Sequence, residues 1–152
     1  MQSAQLTIGR TIGVVLHPGD DVLASIAQAC RDHEVRQGVI GTLLGAFRSV
    51  TLIATREPLA DEEPPLADSV VVPYAEGVGS GTISFDRDLD EHRVHLHVAV
   101  GVKSQGGAAY AGHLLAAEAH YTVELAITEV LAPELSRVAD PAAFELKNLV
   151  FG

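Results

Sequence analysis

Apolar and polar residues alternate with a period of two over several long stretches of this chain, which limits it to a strand-rich fold. The first stretch runs from Leu6 to Leu16, and the cleanest later ones run from Arg93 to Val102 and from His120 to Val130. In a strand, this alternation places every second side chain on the same face. Each of the three stretches is therefore predicted to form a strand.

One amphipathic helix is predicted after the first strand. Residues 17–20 are turn formers, and Asp21 is a residue type that caps helix N-termini. Apolar residues then recur at helical spacing as far as His33, and Gly38 closes the segment. The helix is expected over residues 21–34.

Shorter apolar runs separated by turn residues predict the remaining strands. These strands are expected at residues 39–46, 50–54, 69–74, 81–85 and 144–151, with a Gly-rich connection at 76–80 and an acidic turn at 86–91. Residues 57–68 are acidic and rich in proline, which is typical of an exposed loop. With 152 residues, 47% of them hydrophobic, the chain is expected to form one domain over residues 1–152. The fold class is α+β, strand-rich with one main helix.

Charge and composition narrow the classes of function. Twenty acidic and ten basic residues give a net charge of −10, which repels a phosphate backbone. We therefore expect DNA binding that is weak and salt-sensitive at most. The single Cys30 excludes an internal disulfide and a Cys-rich zinc site. Because the N-terminus lacks a signal peptide and no apolar run approaches the ~20 residues that cross a bilayer, a soluble, cytoplasmic protein is expected.

His95 and His97 are the residues best placed to carry chemistry. They are two residues apart on a predicted strand, so both imidazoles lie on one face, opposite the intervening apolar side chains. Two such imidazoles can chelate a metal, and a third ligand would leave a position open for water or substrate. His113 is the natural third candidate. Histidines at this spacing can also merely form hydrogen bonds across a sheet, so the spacing leaves both interpretations open.

An ordered set of motifs resembles the plant and prokaryote conserved (PPC) domain family in its single-domain prokaryotic form. In chain order the motifs are Leu16–Val22, Gly41–Ala46, Val50–Leu52, His95–Val98, Gly112–Leu115 and Val123–Leu125, followed by the tail residues Arg137, Asp140, Phe144 and Leu146. They cover nearly the whole chain. Two departures are the Gly-rich segment 76–81, which replaces the end of an apolar strand, and Ala111, where the family has glycine.

The resemblance implies a mostly antiparallel β-sheet with one main helix, assembled as a homotrimer. It also implies a fold and a three-His zinc arrangement similar to those of acetolactate decarboxylase. Carried over to this sequence, it makes His95, His97 and His113 the ligands of zinc or another divalent metal. Three neutral imidazoles leave the charge of the ion uncompensated, so small anionic ligands are expected at its open position. The catalytic residues of the decarboxylase do not carry over, because its other motifs are not matched.

The homotrimer has a second argument from the residues. The strand around residues 121–128 carries little charge on either face, and a protomer of 16.0 kDa is small for covering both faces alone.

Other candidate residues are weaker. Glu124 is a candidate catalytic carboxylate that acts as a general base or orients an imidazole, although an exposed or trimer-contact position also explains it. Glu76 is a candidate catalytic carboxylate on a loop that closes on a substrate, and an acidic solvated loop explains it equally well. His120 is a possible fourth ligand, although a surface histidine explains it equally simply. Cys30 falls on the apolar stripe of the helix, which predicts a buried, inert thiol.

Two main classes of function follow. The first is a zinc-dependent lyase or hydrolase that acts on a small oxygen-rich metabolite through His95, His97 and His113. The second is a DNA-binding or regulatory module, as in the plant members of the family, which carry separate DNA-binding segments. No Arg-Gly-Arg-Pro-like segment is present, and the chain has only two lysines. A metal-dependent ligand sensor without catalysis is a further alternative.

Overall fold

The part of the chain that the structure describes is mostly antiparallel β-sheet with one α-helix, as predicted. The computed structural model describes residues 1–54, 69–143 and 145–152. Its elements in chain order are β1 (Thr7–Leu16), α1 (Val22–Asp32), β2 (Gly38–Ile53), β3 (Val70–Asp86), β4 (Glu91–Val102), β5 (Ala108–Ala132), β6 (Leu135–Asp140) and β7 (Leu146–Phe151). Every pairing between these strands is antiparallel.

The large sheet has the strand order β1-β5-β2-β3-β4 and curls back on itself. Closure occurs because the first part of β5 also pairs with β4, from His97 opposite His113 to Val102 opposite Ala108. Strands β6 and β7 form a separate two-stranded sheet, and β6 packs against β3. This arrangement brings the C-terminal part of the described chain over the outer face of β3 and β4.

Helix α1 begins and ends close to the predicted positions. The Asp21 side chain accepts a hydrogen bond from the Ala24 amide at 2.8 Å, which confirms Asp21 as the N-cap. The helix ends at Asp32, and Glu34 follows with a positive φ of 54°. Its inner face buries Val22, Ile26 and Cys30 against the sheet.

The strands are longer and more continuous than the turn residues suggested. Residues 39–54, predicted as two strands, belong almost entirely to β2, which bends through shifts of register. The predicted connection at 76–80 is wrong, because these residues lie inside β3 and pair with β4. The glycines of this segment allow a close approach: a Cβ at Gly77 would clash with the carbonyl oxygen of Ala99.

Strand β5 also begins earlier than expected, at Ala108, and β6 was not predicted at all. The last strand starts at Leu146 rather than at residue 144. Residues 57–68, predicted as an exposed loop, and Phe144 lie outside the described residues.

The core lies between α1 and the inner face of the curled sheet. Its largest fully buried side chains include Phe47, Ile26, Ile40, Leu43, Ile83, Leu96 and Ile127. Within the described ranges, no helix has the length and apolar character needed to cross a membrane.

Candidate metal centre

His95 and His97 lie on the outer face of β4, as their spacing predicted. Leu96 is fully buried and Val98 is 4% exposed, so the alternate residues of β4 form part of the core. His95 is half-buried and His97 is exposed. The burial of the apolar face therefore holds the backbone that aims both imidazoles outward.

The pairing of β4 with β5 places His113 beside His95 and His97. The Gly-rich sequence of residues 106–112 predicts a flexible turn that brings His113 back to the other two histidines, and this prediction is wrong in its detail. The tight turn occupies residues 103–107, and Ala108 to Gly112 already belong to β5. Because β4 and β5 are antiparallel, His113 pairs directly with His97. The two strands thus place it more rigidly than a loop would.

The three histidines form a compact cluster. One candidate ligand atom from each of His95, His97 and His113 lies within 4.8 Å of the others, and among the described residues no other side chain joins this group. The ring centroids are 5.2 Å apart for His95 and His97, 4.7 Å for His95 and His113, and 5.4 Å for His97 and His113. The three rings therefore lie side by side on the outer face of the sheet, with one nitrogen of each close to the others.

The surroundings of His95 and His113 favour the neutral form of both rings. Burial, followed by the positive charge of Arg137 and the neighbouring rings of His113 and His97, lowers the pKa of His95 from 6.5 to about 4. Burial, with His97 and Arg137, also lowers the pKa of His113. Near neutral pH both rings are uncharged, which is the form that ligates divalent ions. The donor set fits zinc or another imidazole-favouring ion.

Arg137 is a residue of the site that sequence reasoning did not assign. From β6 its Nη2 donates hydrogen bonds to Nδ1 of His95 at 2.7 Å and to Oγ1 of Thr82 at 2.7 Å. The family resemblance included Arg137 only as part of the tail. No local pattern could indicate the contact, because it joins residues 42 positions apart in the chain.

The remaining candidates lie outside the cluster. Glu124 is exposed on β5, opposite Val15 and Leu44 of the neighbouring strands, and Glu76 is exposed on β3 rather than on a loop. Nothing in these positions tests a catalytic role for either carboxylate, so both stay predictions.

His120 and Cys30 also lie apart from the three histidines. The centroid of the His120 ring lies 4.1 Å from that of Tyr121 in a tilted arrangement and 5.4 Å from that of Tyr74 in an edge-to-face arrangement. His120 does not join the metal-ligand group. Cys30 is buried in the helix, and burial raises the pKa of its thiol to about 11, in accord with an inert side chain.

An open depression lies beside the cluster on the outer face of the sheet. Its volume is about 610 Å³, and its lining includes His97, Ser80, Val78 and Thr42. A ligand larger than water can therefore approach His97 from this side.

Comparison with known proteins agrees with the fold. The sequence profile of the Plants and Prokaryotes Conserved (PCC) domain, the family whose motifs the chain resembles, matches residues 3–131. A metal-containing protein from Archaeoglobus fulgidus is 21% identical, with a TM-score of 0.79 over 99% of both chains. A protein from Bacteroides thetaiotaomicron that is provisionally described as DNA-binding is 21% identical, with a TM-score of 0.74 over 97% of this chain and 99% of its own.

A more distant likeness joins the fold to a known enzyme. Acetolactate decarboxylase from Bacillus subtilis is 11% identical, with a TM-score of 0.53 over 82% of this chain. The match covers 53% of the enzyme, so the chain corresponds to about half of that protein. No protein of curated function has a significantly similar sequence.

Proposed function

Because the chain belongs to the Plants and Prokaryotes Conserved (PCC) domain family, we propose that it is a zinc-binding protein whose ion is held by His95, His97 and His113. The observation that carries this proposal is the convergence of three ligand atoms within 4.8 Å of one another. Zinc binds imidazole nitrogen at about 2.0–2.1 Å, so small rotations of the three side chains suffice to bring them onto one ion.

The composition of the cluster favours zinc over harder ions. It offers three neutral nitrogens and no carboxylate among the described residues, whereas magnesium and calcium select oxygen ligands. The archaeal relative described as metal-containing supports a metal in this fold. Three protein ligands leave a fourth position open, which distinguishes catalytic from structural zinc sites.

The open position suits a small, anionic, oxygen-rich ligand. A zinc ion bound there supplies Lewis acidity to a carbonyl or hydroxyl oxygen of such a ligand. The neutral imidazoles leave its positive charge uncompensated, and the depression beside His97 gives the ligand access. We infer that the reaction class, if the site is catalytic, is that of a lyase or hydrolase, with Glu124 and Glu76 as candidate acid-base residues.

A homotrimer is the assembly that we propose. The outer face of the sheet carries an apolar row across neighbouring strands, in which Val15 and Leu44 both flank Glu124 and Leu44 pairs with Val78. The exposed fractions of the three apolar side chains are 58%, 43% and 57%. Contact between copies would remove this surface from water.

DNA binding is the second candidate, and the relative from Bacteroides thetaiotaomicron is the observation in its favour. The net charge of −10 opposes it, because neutralising phosphates requires clustered lysine and arginine. We therefore assign the DNA-binding or regulatory role second place.

The test is metal analysis of purified protein that has been stripped with chelator and reloaded with zinc. We expect one zinc per protomer in the wild type and none in His97→Ala or His113→Ala, with the fold retained because the core face of β4 is unchanged. His17→Ala removes an exposed histidine on the turn after β1 and serves as the matched control. Failure of the wild type to bind stoichiometric metal would reject the proposal, as would retention of zinc by both variants.

A further inference from the structure

A hydrogen bond from Arg137 determines which ring nitrogen of His95 carries the proton in the metal-free protein. Its Nη2 lies 2.7 Å from Nδ1 of His95. Arginine has no acceptor atom, so Nδ1 must accept this hydrogen bond with its lone pair. The neutral His95 ring therefore carries its proton on Nε2.

This hydrogen bond and a bound metal exclude each other at His95. If Nδ1 ligates the ion, its lone pair is no longer available to Arg137. If Nε2 ligates instead, the proton of the neutral ring moves to Nδ1, which then faces the guanidinium as a second donor. In both cases Nη2 of Arg137 loses His95 as its acceptor when the metal binds.

The released guanidinium would have unpaired N–H groups beside the metal. Its Nη1 donates to the Lys147 carbonyl oxygen at 3.2 Å, and Nη2 also donates to Thr82, so the side chain stays anchored. Its Nε is buried and has no hydrogen-bond partner within the described part of the chain. Nε and Nη2 lie along one edge of the guanidinium, and a shift of the side chain away from His95 that uncovers Nε would present both to the two oxygens of a carboxylate.

We propose that Arg137 binds the anionic group of this site's ligand and becomes free to do so when the metal takes His95. This inference rests on the proposed function, because it requires a metal at the three histidines. Arg137 is then a ligand-binding residue and not a metal ligand. The pairing of an open metal position with an arginine fork selects small carboxylates over neutral molecules.

The experiment uses Co²⁺ in place of zinc, because the visible spectrum of Co²⁺ responds to its fourth ligand. Protein loaded with one equivalent of Co²⁺ is titrated with acetate as the carboxylate probe. We expect Arg137→Gln to weaken acetate binding by at least about tenfold, because a bidentate charged pair is lost. Arg137→Lys should also weaken it, since lysine lacks the fork.

The matched control is Arg87→Gln, which changes the net charge equally at a surface ion pair with Glu134. We expect it to bind acetate as the wild type does. Arg137→Gln should hold the metal at least as tightly as the wild type, because a competing donor and a nearby positive charge are removed. Wild-type acetate affinity in both Arg137 variants would overturn the inference, as would loss of metal by a folded Arg137→Gln protein.

If the variants do not fold, a second measurement on the wild type tests whether metal binding releases Arg137 from His95. Long-range ¹H–¹⁵N NMR should show His95 protonated on Nε2 without metal, and Nδ1 no longer an acceptor once one equivalent of zinc is bound. An Nδ1 signal that zinc leaves unchanged would contradict the inference. A wild type that binds no metal rejects the proposed function itself, whereas metal binding without an effect of Arg137 rejects only this inference.

Discussion

At the residue scale, His95 is the histidine of the site whose pKa its surroundings lower to about 4. It touches both other imidazoles and Arg137, and it is half-buried. These surroundings disfavour the protonated ring, which is why its pKa falls to about 4. In the unfolded chain the same ring titrates near its ordinary value of 6.5. Folding thus opposes protonation of His95.

We predict that the metal-free protein loses stability as the pH falls from 6.5 towards 4. Over this range the unfolded chain takes up a proton on His95 and the folded protein does not, so acid favours unfolding. Above 6.5 the ring is neutral in both states, and below about 4 it is charged in both. His113, whose pKa is also lowered, acts in the same direction.

The measurement is the urea midpoint as a function of pH, with chelator present throughout. His95→Asn should lose less stability on acidification than the wild type, because one of the two titrating rings is gone. His17→Ala should keep the wild-type pH dependence. An acid sensitivity in His95→Asn equal to that of the wild type would show that His95 is not its source.

At the element scale, the close pairing of β3 with β4 decides where the histidine cluster lies. Gly81 pairs with Leu96, and Gly77 pairs with Val100. A Cβ on either glycine would clash with a carbonyl oxygen of β4, that of His95 or of Ala99 respectively. The glycines therefore allow β4 to approach β3 more closely than side chains would permit.

We predict that Gly81→Ala destabilises the protein by about 1–3 kcal/mol, because the added methyl group must push β4 away. Since the nearest obstacle is the backbone of His95, zinc affinity should fall as well. Gly13→Ala on β1 is the matched control, because open space surrounds its position, and it should change stability by less than about 0.5 kcal/mol. Thermal unfolding and zinc titration measure the two effects. Unchanged zinc affinity in a folded Gly81→Ala protein would contradict the link between this glycine and the site.

At the scale of the whole molecule, the outer face of the sheet differs from an ordinary solvated surface. Leu44 and Val78 face each other on β2 and β3, and Ala99 and Ala111 extend the small apolar surface onto β4 and β5. The depression beside His97 opens onto this same region, with Val78 and Ala99 in its lining. A surface shared between copies would therefore border the histidine cluster.

We predict a mass of three protomers in light scattering, and dissociation of that assembly by Leu44→Glu. The substitution places a charge in the apolar row next to Glu124, where burial and like-charge repulsion both oppose contact. Leu89→Glu is the control, because Leu89 is 56% exposed on the turn between β3 and β4, away from this row. A wild type with the mass of one protomer in dilute buffer would reject the trimer.

Much of this architecture could be read from local patterns. The period of two assigned the faces of β4 and the second half of β5, because a strand with one buried face leaves a regular trace in its sequence. Asp21 marked the start of α1 for a similar reason, since a helix cap acts within a few residues. Glycine was a poor guide to strand ends, because Gly77 and Gly81 serve close packing between strands rather than a turn.

The sequence by itself determined that His95 and His97 share one face of a strand and that one capped helix packs with a strand-rich core. The tertiary structure decided that His113 lies opposite His97 and that Arg137 lies on His95. The physical reason is the distance along the chain over which each interaction acts. Side-chain alternation and helix capping depend only on neighbouring residues. The register of β4 with β5 and the packing of β6 on β3 join distant parts of the chain and depend on how the sheet closes.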